Sequence, residues 1–188
     1  MASGIAFVTL LSTGCSSTKS VKAEPLKGVY GSGVTLARYD TATVQTFEFS
    51  GPAPDKGDPS MMLTQGIAQR LQNDFGPLFN QVRTGDPLRE SNEVIVTGRV
   101  TEYEPGSRIG RLFGPGIKPA KLKAELVLKD GATGNPIFIA PIDKLWAWGH
   151  SIGAAKGIED MMAESTAAAA NTIARAKGWQ PREHASSQ

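Results

Sequence analysis

The chain has 188 residues, of which 40% are hydrophobic, 7% aromatic and 20% charged; this is the length of one domain, with enough apolar side chains for a core. Twenty Lys and Arg against eighteen Asp and Glu leave a net charge of +2, which excludes a nucleic-acid binder working through bulk basic charge and an acidic disordered tail. A single cysteine, Cys15, excludes an internal disulfide and a cysteine cluster for zinc.

The apolar run Ile5 to Leu11 has the length of a signal-peptide core and falls short of the roughly 18 residues that span a bilayer. Ser12, Thr13 and Gly14 lead into Cys15, and this small-residue approach to a lone cysteine resembles the lipobox of bacterial lipoproteins. Two features depart from that pattern: Leu11 lies one place further from the cysteine than usual, and no Lys or Arg precedes the run. The resemblance implies that residues 1–14 are a signal peptide, that the Cys15 thiol carries a diacylglycerol, and that the new amino terminus is acylated, with palmitate as the type of chain. Such an anchor needs no membrane helix. Ser16 stands where an Asp would signal inner-membrane retention in enteric-type bacteria, so the same resemblance implies the outer membrane, facing the periplasm. The competing reading places Cys15 in the core on a buried N-terminal strand. The small, polar stretch Ser16 to Glu24 suits a tether better, and 15–34 is expected to be flexible.

One domain is expected over 35–179, with a polar tail over 180–188. Thr41 to Phe49, rich in Thr, Val and Phe, predicts a first strand. Three prolines and two glycines make Ser50 to Pro59 a loop. Ser60 is placed to cap a helix whose apolar face is Leu63, Ile67, Leu71 and Phe75, closed by Gly76 and Pro77. Leu78 to Arg83 predicts a short edge strand. In a strand over Glu93 to Glu104, Val94, Val96 and Val100 share one face while Arg99, Thr101 and Tyr103 share the other. Pro119 to Lys129 alternates Leu122, Ala124, Leu126 and Leu128 with Lys121, Lys123, Glu125 and Lys129, which predicts a strand with one buried face and one wet face. The Asp130 to Asn135 turn then returns the chain along Ile137 to Trp148, where Pro141 predicts a bulge or an edge. Finally, Ile158, Met161, Ser165, Ala169 and Ile173 stripe an Ala-rich helix over Ile158 to Lys177, ended by Gly178. The expected fold is α+β: a single-layer, mainly antiparallel sheet of four or five strands with two helices packed on one face, in the order β-α-β-β-β-β-α.

Within this order, the run Val94 to Arg108 (VIVTGRVTEYEPGSR), the glycine loop Arg111 to Gly116, the Asp130-Gly131-Ala132-Thr133-Gly134 turn and the opening Tyr39 to Val44 resemble the bacterial lipoproteins of domain-of-unknown-function family 4410. By element order the domain is more distantly similar to the periplasmic α/β domains of curli-secretion lipoproteins and of the TolB amino-terminal region. The resemblance implies an envelope binding or assembly module rather than an enzyme. It carries over no catalytic residue and no cofactor.

Four local features bear on chemistry. Gly149-His150-Ser151-Ile152-Gly153 matches the G-x-S-x-G nucleophile elbow, and Ser151, Asp160 and His184 follow in hydrolase order. A small serine hydrolase is therefore the rival function. No strand is predicted after Ser151 to hold an acid or a histidine, so a small-residue turn is the plainer reading. Arg108, Arg111, Lys118 and Lys121 mark a basic, glycine-rich connection without P-loop spacing. It is either a solvated hairpin link or a contact surface for a partner, an anionic lipid headgroup or a glycan; an envelope protein partner or self-association is expected. Glu102 and Glu104 pair two carboxylates, with no further acid nearby for a metal. Trp146, Trp148 and Trp179 could stack on a sugar or pack under the last helix. Neither a catalytic set, a metal site, a cofactor nor a nucleic-acid partner is expected.

Overall fold

The computed structural model describes residues 23–30, 35–52, 54, 57–106, 120–146 and 158–180. The alternation read from the sequence becomes β6 (Ala120–Asp130), in which every second side chain is buried. Its neighbours are β5 (Glu93–Glu104) and β7 (Pro136–Trp146), both antiparallel to it. β1 (Val29–Tyr30) adds to the outer side of β7. On the other side of β5 lie β2 (Thr41–Val44) and β3 (Glu48–Phe49), both parallel to it, and β4 (Gln81–Thr84) runs parallel to β2 at the edge. The result is one seven-stranded mixed sheet in the order β1-β7-β6-β5-β2-β4, with β3 beside β5. The fold is α+β as expected, but the sheet is larger than four or five strands and half of it is parallel. The parallel half arises because α1 (Pro59–Asn73) makes a crossover between β2 and β4, which an antiparallel hairpin reading does not anticipate.

The expected strand Thr41 to Phe49 is interrupted. Gln45 still donates to the Val96 carbonyl at 2.9 Å, but Phe47 leaves the ladder and its N–H donates to Thr64 Oγ1 on α1 at 3.1 Å. The Phe47 ring fills the space that a Cβ on Gly98 would need, at 2.4 Å from that position, which is why β5 carries a glycine at its centre. A bulge in β5 between Val100 and Glu102 shifts the strand phase. Tyr103 therefore joins the buried face with Val94, Val96 and Val100 instead of sharing the outer face with Arg99.

Asp58, not Ser60, caps α1: its side chain accepts from the Ser60 N–H at 2.9 Å, and Pro59 at the first helical position supplies the required φ. Leu63, Ile67, Leu71 and Phe75 line the buried side as expected. The helix stops at Asn73, and Gly76–Leu78 forms a separate 3₁₀ turn. α2 (Ile158–Ala176) buries Ile158, Met161, Ser165, Ala169 and Ile173. Gly178, with φ of 102°, closes it in a Schellman motif in which Trp179 N–H reaches the Ala174 carbonyl and Gly178 N–H the Arg175 carbonyl, each at 2.9 Å. Trp179 then packs edge-on against Phe75 at 5.1 Å. Both helices cover one face of the sheet, where the core sits.

Within the stretch 15–34, expected to be a flexible tether, residues 23–30 are described and contact the domain. The Ala23 carbonyl accepts from Asn171 Nδ2 at 2.8 Å, Leu26 N–H donates to Thr172 Oγ1 at 2.7 Å, and Leu26 packs on the core before β1 begins. Residues 23–30 thus belong to the domain, strapped across α2.

Candidate functional site

β5 and β7 end, and β6 begins, at the same end of the sheet, where α1 and α2 also start. The connections 50–58, 107–119 and 147–157 therefore all leave from one pole. The opposite pole holds the short turns. Function concentrates on loops held by a rigid sheet, so the candidate site is this pole together with the sheet face opposite the two described helices.

Of the residues expected to form a partner-contact loop, Arg108, Arg111 and Lys118 lie outside the described residues, and Lys121 lies at the start of β6. Lys121 is paired with Glu102, which also holds Lys123 at 3.3 Å. The hydrogen bond from Lys121 lowers the Glu102 carboxyl below its ordinary range, and the same bond raises Lys121. Charge alternates in sign across this face, from Asp143 through Lys123 to Glu102 and from Glu125 through Arg99 to Glu48, as the strand register dictates. Glu102 and Glu104 thus stand in a solvated ladder of opposite charges. The lysines beside Glu102 favour its charged form.

Tyr103 stands on the inner side of the same strand end, edge-on to Phe49 at 6.4 Å. Burial raises its hydroxyl above the ordinary value, and the carboxylates of Glu159 and Asp58 add to that. Beside it, a recess of about 590 Å³ is lined by Phe47, Phe49 and Asp58. Another, of about 290 Å³, runs between α1 and α2 over Met62, Gln65, Gln69 and Met162. Its charged members are engaged: Arg70 donates to Thr166 Oγ1 at 3.2 Å and pairs with Asp74 at 3.3 Å.

Cys15, the Gly149 to Gly153 motif with Ser151, Trp148 and His184 lie outside the described residues. Asp160, the acid in the hydrolase order, is in the first turn of α2. Among the described residues no group of three His, Cys, Asp or Glu side chains is placed to hold a metal ion, and no helix is long and apolar enough to cross a membrane.

The opposite pole carries two buried carboxylates that the sequence did not single out. Asp130 accepts from Thr133 N–H and Oγ1, each at 2.9 Å, from Tyr39 Oη at 2.8 Å, and from Arg38. Glu93 accepts from Thr43 Oγ1 at 2.5 Å, Leu88 N–H at 2.9 Å and Arg89 N–H at 2.7 Å. These anchor loops. The sequence also missed β1, whose Val29 and Tyr30 are exposed at the sheet edge. Only the apolar Val-Tyr pair after Gly28 hinted at it.

No protein-family model matches the chain, and no curated protein is similar to it in sequence. Solved structures share its fold. The PelC dodecamer from Paraburkholderia phytofirmans superposes with a TM-score of 0.53 at 16% identity, covering 82% of this chain and 99% of that one. A single-substitution variant of that dodecamer gives the same TM-score at 15% identity, covering 82% and 98%. A protein of domain-of-unknown-function family 330 from Xanthomonas campestris gives a TM-score of 0.42 at 10% identity, covering 83% of this chain and 89% of that one.

Proposed function

We propose that this chain is a bacterial envelope lipoprotein, anchored through Cys15 in the outer membrane and facing the periplasm, that works without catalysis as a self-associating binding or assembly module. Its likeness to family 4410 belongs to this reading, resting on the Val94 to Arg108 run. The observation that carries it is the use of the chemistry-bearing side chains. At the loop pole Glu102, Lys121 and Lys123 neutralise one another, at the far pole Asp130 and Glu93 hold turns, and the inter-helix recess commits Arg70. Beside the shallow recess at Phe47 and Phe49, what remains open among the described residues is a sheet face and the β1 edge, which are surfaces for protein contact rather than for small molecules. Self-association draws support from the shared fold with PelC, which was solved as a dodecamer.

The 107–119 connection, with Arg108, Arg111 and Lys118 beside Lys121, is the proposed partner-contact loop. Fractionation tests the anchor: Cys15→Ala is expected to move the protein from the membrane pellet to the soluble periplasm. Unchanged membrane recovery contradicts it. Labelling by a fluorophosphonate probe that Ser151→Ala abolishes would replace this reading with the hydrolase.

A further inference from the structure

Five large apolar side chains are exposed among the described residues, and three of them, Val29, Tyr30 and Ile139, lie together at one sheet edge. Val29 is 76% exposed and Ile139 39%. Register places Val29 beside Ile139 and Ile139 beside Val127 on the face opposite the described helices, so an apolar row crosses three strands and runs off the edge. On the helix side Tyr30 stacks on Phe138 at 4.3 Å. The far edge differs. β4 is polar at Gln81, Arg83 and Thr84, and Gln72 Nε2 occupies the Val82 carbonyl at 2.9 Å. One edge is therefore guarded, while the other offers extended backbone with apolar side chains on both faces, the arrangement that recruits another strand.

We propose that the β1 edge is where a second copy of this chain docks, its own β1 pairing antiparallel across a two-fold axis. This names the surface for the self-association proposed above and rests on that reading. Residues opposite one another in an antiparallel pair point to the same face, so Val29 cannot oppose Tyr30 of the second copy. With Val29 opposite Val29 of the second copy, the two apolar rows join into one continuous row across the seam. Tyr30 then lies opposite Gly28 of the second copy, where its ring meets the Phe138 ring that fills the space beside that glycine. Gly28 has no room for a side chain of its own, because a Cβ there would stand 2.5 Å from the Phe138 ring. An isologous interface of this kind needs no second partner surface.

The test uses the full chain carrying Cys15→Ser. Val29→Cys is expected to form disulfide-linked dimers under mild oxidation about tenfold faster than Gln81→Cys on the guarded edge, since directly opposed Cβ atoms lie within disulfide reach. Val29→Lys with Ile139→Lys, its fold checked by circular dichroism, is expected to lose association in sedimentation. If association persists in that double variant and Val29→Cys crosslinks no faster than Gln81→Cys, the edge is overturned while self-association stands. A monomeric parent chain overturns both.

Discussion

Asp130 and Glu93 sit next to each other across the β5–β6 end, since Val94 is the register partner of Asp130 and the Gly131 N–H donates to the Glu93 carbonyl at 2.8 Å. Each is buried and each has its pKa lowered. For Asp130 the Thr133 N–H is the largest cause, outweighing desolvation, with Tyr39 adding to it. For Glu93 burial pushes upward, and the Thr43 hydroxyl with the Leu88, Arg89 and Glu90 amides more than reverses it. A carboxylate whose folded pKa lies below its unfolded one contributes stability above the unfolded pKa and loses it as pH falls through the folded one. Stability is therefore expected to hold from neutral pH downward and to fall below about pH 4. In urea titrations, Asp130→Asn should be less stable than the parent at neutral pH, and the gap should close as the pH is lowered through that range. A gap of constant size would show that the charge of Asp130 has no part in holding the turn. The sequence marked Asp130 as a turn residue, but its partners Arg38 and Tyr39 lie some ninety positions away and no local pattern brings them together.

At the scale of elements, most of what was legible came from strict periodicity. β5, β6, α1 and the stripe of α2 each bury the residues their spacing demands, and Gly178 ends α2 as its conformational freedom requires. The errors arise where tertiary contacts outrank the local pattern. Thr41 to Phe49 has uninterrupted strand composition, yet Thr64 on α1 takes the Phe47 N–H at 3.1 Å and returns its own hydroxyl to the Ser60 carbonyl at 2.7 Å. That bond splits the strand and packs Phe47 beneath α1. Thr64→Val, which keeps the shape and removes the hydroxyl, leaves the buried Phe47 amide without its acceptor and should cost about 2 kcal/mol in chemical unfolding. A loss below about 0.5 kcal/mol would mean that packing alone sets the break. The bulge after Val100 is equally invisible in sequence, because Thr101 and Glu102 fit a regular strand. β1 went unread because two residues show no period.

For the whole molecule, the described helices lie on one face of the sheet, the strand ends that lead into 107–119 and 147–157 gather at one pole, and the other face carries charged side chains. The charged residues of that face cancel in cross-strand pairs, so the near-neutral net charge is also local. What stands out from it is the apolar row ending at Val29. Within the candidate site, no local pattern foretells that Lys121 pairs with Glu102, since that pairing depends on the register of β5 with β6. Among the described residues, the sheet face and the β1 edge are the surfaces on which the proposed self-association rests. The most direct measurement is sedimentation velocity on the full chain extracted from membranes in a mild detergent, over a range of concentrations. The account predicts a species containing two or more copies that gives way to the monomer on dilution. A single monomeric species at every concentration would contradict it.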